Sequence, residues 1–113
     1  MPKSYVPDAG DIVWIELDPQ AGREQAGHRP ALVLSPAAYN DKVSLAVCCP
    51  LSTKVKGYPF EVEVASGKTT SVVLSDQVKS LDWRERNAKF KTKISPAQLK
   101  QVRANIKALL SIT

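Results

Sequence analysis

The sequence predicts a mostly β domain of α+β type: a small barrel with a C-terminal α-helix. Three observations predict it. Apolar stretches of strand length recur from residue 10 to residue 94, bounded by Gly, Pro and Ser. Two of them alternate apolar and charged residues, the period of a half-buried strand. The last stretch changes to the spacing of an amphipathic helix.

The elements follow in order. "GDIVWIELDP" (10–19) is a strand between Gly10 and Pro19, and "PALVLSP" (30–36) is a second between prolines. "AAYND" (37–41) suits a helical turn, and "SLAVCCP" (44–50) is a third strand. There the adjacent Cys48 and Cys49 point to opposite faces as small core residues, so a disulfide framework is implausible. "FEVEV" (60–64) puts Phe60, Val62 and Val64 inward and Glu61 and Glu63 outward. "SVVLSDQVKSL" (71–81) is one strand, or two joined by a kink. In "NAKFKTKI" (87–94), Ala88, Phe90 and Ile94 share one face. Lys89, Lys91 and Lys93 share the other, a solvated row expected opposite Glu61 and Glu63, with a track for an RNA backbone as the alternative. "SPAQLKQVRANIKALLSI" then begins with Ser95 as N-cap, Pro96 at the first helical position and Gln98 completing a capping box. Leu99, Val102, Ile106, Leu109 and Leu110 form the face expected to pack across the sheet.

The 113 residues are expected to form one domain spanning 1–113, and 43% of them are hydrophobic, enough for a core. No apolar run approaches the ~20 residues of a membrane span. The N-terminal "MPKSYVPDAGD" lacks the apolar core of a signal peptide, so a cytoplasmic location is expected. Charge is unevenly placed. Residues 1–50 carry four Lys/Arg and six Asp/Glu, a balance of −2; residues 51–113 carry twelve and five, a balance of +7. That asymmetry suggests a polyanionic partner.

One histidine and two neighbouring cysteines offer no metal-ligand spacing, and the acidic residues form no Mg²⁺ pattern. Phosphate-loop and dinucleotide motifs are absent, so neither a metal nor a cofactor is expected. RNA cleavage is a reaction that needs neither, because the 2′-OH attacks its own phosphodiester. The protein must orient the groups, move protons and stabilise charge on the phosphorane. Residues 19–29 offer Glu24, His28 and Arg29 for this work, and "LSTKVKGYPF" (51–60) offers Ser52, Thr53, Lys54 and Lys56. Arg29 is placed just before the strand at Pro30, and its fork fits phosphate oxygens. Glu24 is either a base or an ion-pair partner of Arg23 or Arg29. His28 has a suitable pKa for a direct role. Trp14, Tyr58, Phe60 and Trp83 are candidates for stacking on unpaired bases; core packing is the default for Trp14 and Phe60, and Tyr58 is the expected surface aromatic. Gly22 and Gly27 would let the 22–27 loop close over RNA and open again.

Four blocks, "YVPDAGDIVWIELDP", "GREQAGHRPALVLSP", "KGYPFEV" and "DQVKSLDWRER", together resemble the MazF/PemK family of toxin endoribonucleases over essentially the whole chain. The resemblance implies an SH3-like β-barrel acting as a homodimer. It implies metal-independent, sequence-specific cleavage of single-stranded RNA, leaving a 2′,3′-cyclic phosphate and a 5′-OH. It also implies an antitoxin partner whose disordered acidic tail covers the RNA groove. The family's catalytic arginine falls on Arg29 and its catalytic hydroxyl on Thr53, with Glu24 at an acidic loop position implicated in some members. Gln77 lies where the family contacts RNA, and Lys56 and Lys79 are placed as phosphate contacts. Ser52 stands where relatives often carry a second threonine. The turn "ASGKTTS" (65–71) is about a residue short, and Ser71 stands where a glycine is common. Two other functions remain consistent with such a barrel: a toxin that poisons a DNA topoisomerase by protein contact, and a non-catalytic RNA-binding barrel.

Overall fold

The computed structural model describes residues 4–17, 27–66 and 69–113. The strands are β1 (Asp11–Glu16), β2 (His28–Val33), β3 (Leu45–Ser52), β4 (Glu61–Ser66), β5 (Thr69–Leu74), β6 (Lys79–Asp82) and β7 (Lys89–Lys93). Two helices, α1 (Ala37–Val43) and α2 (Pro96–Leu109), complete the described elements. The strands form one curled antiparallel sheet in the order β4-β5-β3-β2-β1-β7, with β6 pairing β3. The predicted architecture, mostly β with a C-terminal helix, is the one observed.

The sheet buries apolar residues on both faces. Ile12, Leu32, Cys49, Leu51 and Val73 belong to one core cluster, which Val102 of α2 completes. Val13, Ile15, Ala31, Val33, Cys48 and Trp83 belong to the other. Each buried Val, Leu or Ile contributes roughly 1.5–3 kcal/mol. Two-sided burial is why "IVWI" (12–15) reads as an unbroken apolar run rather than an alternating one. It also explains the adjacent cysteines, one in each cluster, where burial pushes both thiols up to about 12.

β3 is the strand around which the sheet turns. Its first half, Leu45 to Cys48, pairs β6, and its end, Leu51 and Ser52, pairs β5. "SVVLSDQVKSL" is therefore two strands along one edge of β3, interrupted by an excursion at 75–78. Asn40, fully buried, ties the second face together. Its Nδ2 donates to the carbonyls of Pro7 and Ser35 at 2.8 and 2.9 Å, and its own carbonyl accepts from Trp83 Nε1 at 2.9 Å. Asp8 accepts from the backbone N–H of Ala37 and of Ala9, which holds its carboxyl below the ordinary range.

Several expectations need correction. β2 begins at His28, so Arg29 lies within a strand, level with Ile15. β3 continues to Ser52, which is buried at the strand end rather than in a loop. Phe60 sits half-buried in the turn before β4 instead of facing the core from a strand. Phe90 is 49% exposed and meets the edge of the Tyr5 ring. The β7 lysines do not face Glu61 and Glu63, because β7 pairs β1 and β4 lies at the other end of the sheet. Lys93 instead pairs with the buried Asp11 at 2.6 Å. Along α2, Leu99, Val102 and Ile106 meet the core, but Leu109 and Leu110 are exposed, since the helix runs past the sheet. Gln98 takes part in the cap in an unexpected way. Its N–H donates to Ser95 Oγ, its Oε1 accepts from that hydroxyl, and its Nε2 donates to Glu63 O on β4.

Candidate active site

Arg29 and Thr53 meet because β2 and β3 are antiparallel neighbours. Their register pairs Ala31 with Pro50. Carried two residues further, it sets Arg29 level with Ser52, and Thr53 follows. Arg29, Pro30, Thr53 and Ser71 line two adjoining cavities. One, of about 290 Å³, extends to Trp14, His28 and Lys91; the other, of about 30 Å³, extends to Leu51 and Ser52. Arg29 and Thr53 are exposed.

Ser52 links this space to a cavity of about 180 Å³ lined by Lys54, Lys56, Tyr58, Glu61 and Gln77. That end is built from two connections, 53–60 and 75–78. Glu61 shapes the first: its carboxylate accepts from the backbone N–H groups of Lys56 at 3.0 Å and Gly57 at 2.7 Å. Gly57 turns the chain at φ +81, a value that favours glycine. Tyr58 joins the two connections by donating its hydroxyl to Asp76 at 2.9 Å. Burial and that carboxylate push the phenol up to about 12, so it remains a donor at neutral pH. Gln77, next in sequence, has a buried Oε1 that accepts no hydrogen bond in the structure.

The structure thus sets Arg29, Thr53, His28, Ser52, Lys56, Tyr58 and Gln77 around three cavities that follow one another through shared wall residues. Lys79 lies on β6, level with Cys48, and lines none of these three cavities. Glu24 and Gly22 lie outside the described residues, while Gly27 holds φ +80 immediately before β2. Several cavity-lining residues lie outside the site that the sequence singles out, Trp14, Lys91 and Ser71 among them. Trp14 reads by default as core, yet its ring stacks on His28 with centroids 5.7 Å apart and planes 6° apart. Lys91 was placed on a solvated row, yet its Nζ lies 5.3 Å from the Trp14 ring centroid. Ser71 was noted only as a departure from the family pattern. Cross-strand register was the missing signal: Trp14 pairs Pro30, one residue from Arg29 and two from His28, and lies on the opposite side of β1 from Val13.

Chemically these cavities hold a planar guanidinium and a hydroxyl, two lysines beside Tyr58, and a third lysine beside Trp14 and His28. Such a surface suits a flexible polyanion with aromatic groups, which is a single-stranded nucleic acid.

The fold and this basic cleft define a toxin class. The family described as PemK-like, MazF-like toxins of type II toxin–antitoxin systems matches residues 8–110, and the chain belongs to it. Among curated relatives, the endoribonuclease toxin MazF of Escherichia coli (strain K12) is 48% identical over 110 residues, 97% of this chain and 99% of the relative. The endoribonuclease PemK of Escherichia coli is 29% identical over 92% of this chain and 82% of its own. The crystal structure of MazF from Deinococcus radiodurans superposes with a TM-score of 0.92 at 48% identity, covering 96% of this chain and all of that one. A MazE–MazF crystal structure from the same organism gives a TM-score of 0.87 at 48% identity, covering 97% of this chain and all of that one.

Proposed function

We propose that this endoribonuclease toxin cuts single-stranded RNA at specific sequences without a metal ion, using the RNA's own 2′-OH as nucleophile. The observation that carries the reading is the placement of Arg29 and Thr53 on one cleft, between cationic and aromatic groups. In the reaction, the 2′-oxygen bonds to phosphorus while its proton leaves to a base. The bond from phosphorus to the 5′-oxygen breaks, and that oxygen takes up a proton. The products are a 2′,3′-cyclic phosphate and a 5′-OH. Arg29 places its fork on the non-bridging oxygens as charge builds on the phosphorane. Thr53 donates a hydrogen bond to the same phosphate. An arginine guanidinium serves here as a charge stabiliser rather than a proton donor. Glu24 is proposed as the base. Lys56 and Lys79 hold flanking phosphates, Tyr58 stacks on a base, and His28, Ser52 and Gln77 contact the RNA.

The partner of MazF in the Deinococcus radiodurans complex is MazE. For this chain the corresponding partner is an antitoxin whose disordered acidic tail competes with RNA for the cleft. The active form is a homodimer, working in the cytoplasm. Among the described residues, no helix is long and apolar enough to cross a membrane.

Incubating the purified protein with a long single-stranded RNA in EDTA tests the reading. Cleavage that survives the chelator is expected. RNA left intact, with and without added Mg²⁺, would instead favour a non-catalytic barrel or a protein-directed toxin.

A further inference from the structure

A second cavity, of about 660 Å³, lies apart from the catalytic cleft and is walled by Tyr5, Trp83, Arg84, Asn87 and Lys89. Nothing in the cleavage mechanism uses it. Within it Arg84 is held on two sides. Its guanidinium carbon sits 4.2 Å from the centroid of the Trp83 ring, and Trp83 is itself buried and anchored through Nε1 to the Asn40 carbonyl. The edge is pinned by Asp41: Nη2 donates to Oδ1 at 2.8 Å, and both Nη atoms reach the Asp41 carbonyl at 3.3 and 3.4 Å. A guanidinium backed by an indole and fixed along its edge offers its remaining face as a flat plate. Unpaired bases stack on such plates.

The cavity is also connected to the cleft. Lys89, on its wall, stands level with Trp14 in the β1–β7 register. Trp14 in turn carries Lys91 and His28 inside the cleft. Two lysines therefore mark a route for a phosphate backbone from one cavity to the other. Because Asp41 offsets part of the Arg84 charge, the plate acts by stacking more than by net attraction. That favours a nucleobase over an acidic peptide.

We propose that this cavity is an auxiliary RNA subsite, in which an unpaired base outside the cleaved step stacks on Arg84 while Lys89 and Lys91 hold the intervening backbone. The proposal rests on the RNA-cleavage reading above and extends the footprint beyond the cleft.

The test is steady-state cleavage of three single-stranded RNAs. One is a short substrate confined to the cleft. The second is the same RNA lengthened at both ends with unpaired nucleotides, and the third carries abasic extensions of equal length. For the unmodified protein, the lengthened RNA should have a KM roughly tenfold below the short one, the scale of one stacked base, with kcat unchanged. The abasic extensions should lose that gain. Arg84→Ala, and Arg84→Lys, which keeps the charge without the plate, should lose it too while cleaving the short RNA normally. The subsite is overturned if extension leaves KM unchanged or abasic extensions keep the gain. It is also overturned if the Arg84 variants affect short and long RNA equally, or if they alter subunit association in sedimentation. If Arg84→Ala fails to fold, the lysine variant and the abasic RNA still decide. Failure of the unmodified protein to cut even the short RNA would strike the cleavage reading itself, and the subsite with it.

Discussion

Arg29 and Thr53 are distant in sequence and adjacent in space because one is the second residue of β2 and the other directly follows β3. An exposed arginine near a strand end is commonplace, and a threonine after a strand is usually a turn residue. Neither stands out as a catalytic candidate from its own neighbourhood. Resemblance to the family singled them out, and the β2–β3 register supplies the physical reason they meet. Trp14 and Lys91 went unassigned for a related reason. β1 is buried on both faces, so its apolar run conceals which residue reaches the cleft. For the central pair, Arg29→Ala should slow cleavage by about 10²–10³-fold, the scale of losing one preorganised donor to developing charge. Thr53→Val should also slow it. Both variants should match the unmodified protein in thermal unfolding, since both side chains are exposed. Unchanged rates in folded variants would remove these residues from the mechanism.

At the level of elements, strands and helices were largely visible in the sequence, and boundaries were less so. Ser95 and Pro96 marked the start of α2 correctly, because the Ser95 hydroxyl accepts from the unpaired Gln98 N–H and the fixed φ of proline suits the first turn, whereas the Gln98 side chain joins the Ser95 hydroxyl and β4 instead of the Ser95 N–H. Where the helix leaves the core was not visible, because Leu109 and Leu110 continue its apolar face into solvent. The excursion at 75–78 read only as a kink. Its role depends on Tyr58 reaching Asp76 and on Ser75 reaching the Phe60 carbonyl, both long-range contacts. Ser95→Ala should lower stability by about 1 kcal/mol, as loss of an N-cap does. Denaturant unfolding would reveal it as a lower midpoint at unchanged slope. An unchanged midpoint would mean that the Gln98 bond to β4 holds the helix start alone.

Across the whole molecule, the charge asymmetry was legible early, and its placement was not. The basic C-terminal half contributes Lys54, Lys56 and Lys91 to a cleft whose Arg29 comes from the acidic half. RNA affinity should therefore fall steeply with salt, log K losing about 0.7 per neutralised phosphate for each unit of log salt concentration. Fluorescence anisotropy with the Arg29→Ala variant would record this without turnover, and a flat response would argue against a phosphate-binding cleft. The central claim, that the RNA supplies its own nucleophile, is tested most directly by one substitution in the substrate. Cleavage of a single-stranded RNA is compared, in chelator, with the same RNA carrying one 2′-deoxynucleotide on the 5′ side of the cut. The all-RNA strand should be cut to a 2′,3′-cyclic phosphate and a 5′-OH, and the substituted strand should stay intact. Equal cleavage of both at that position would contradict the mechanism.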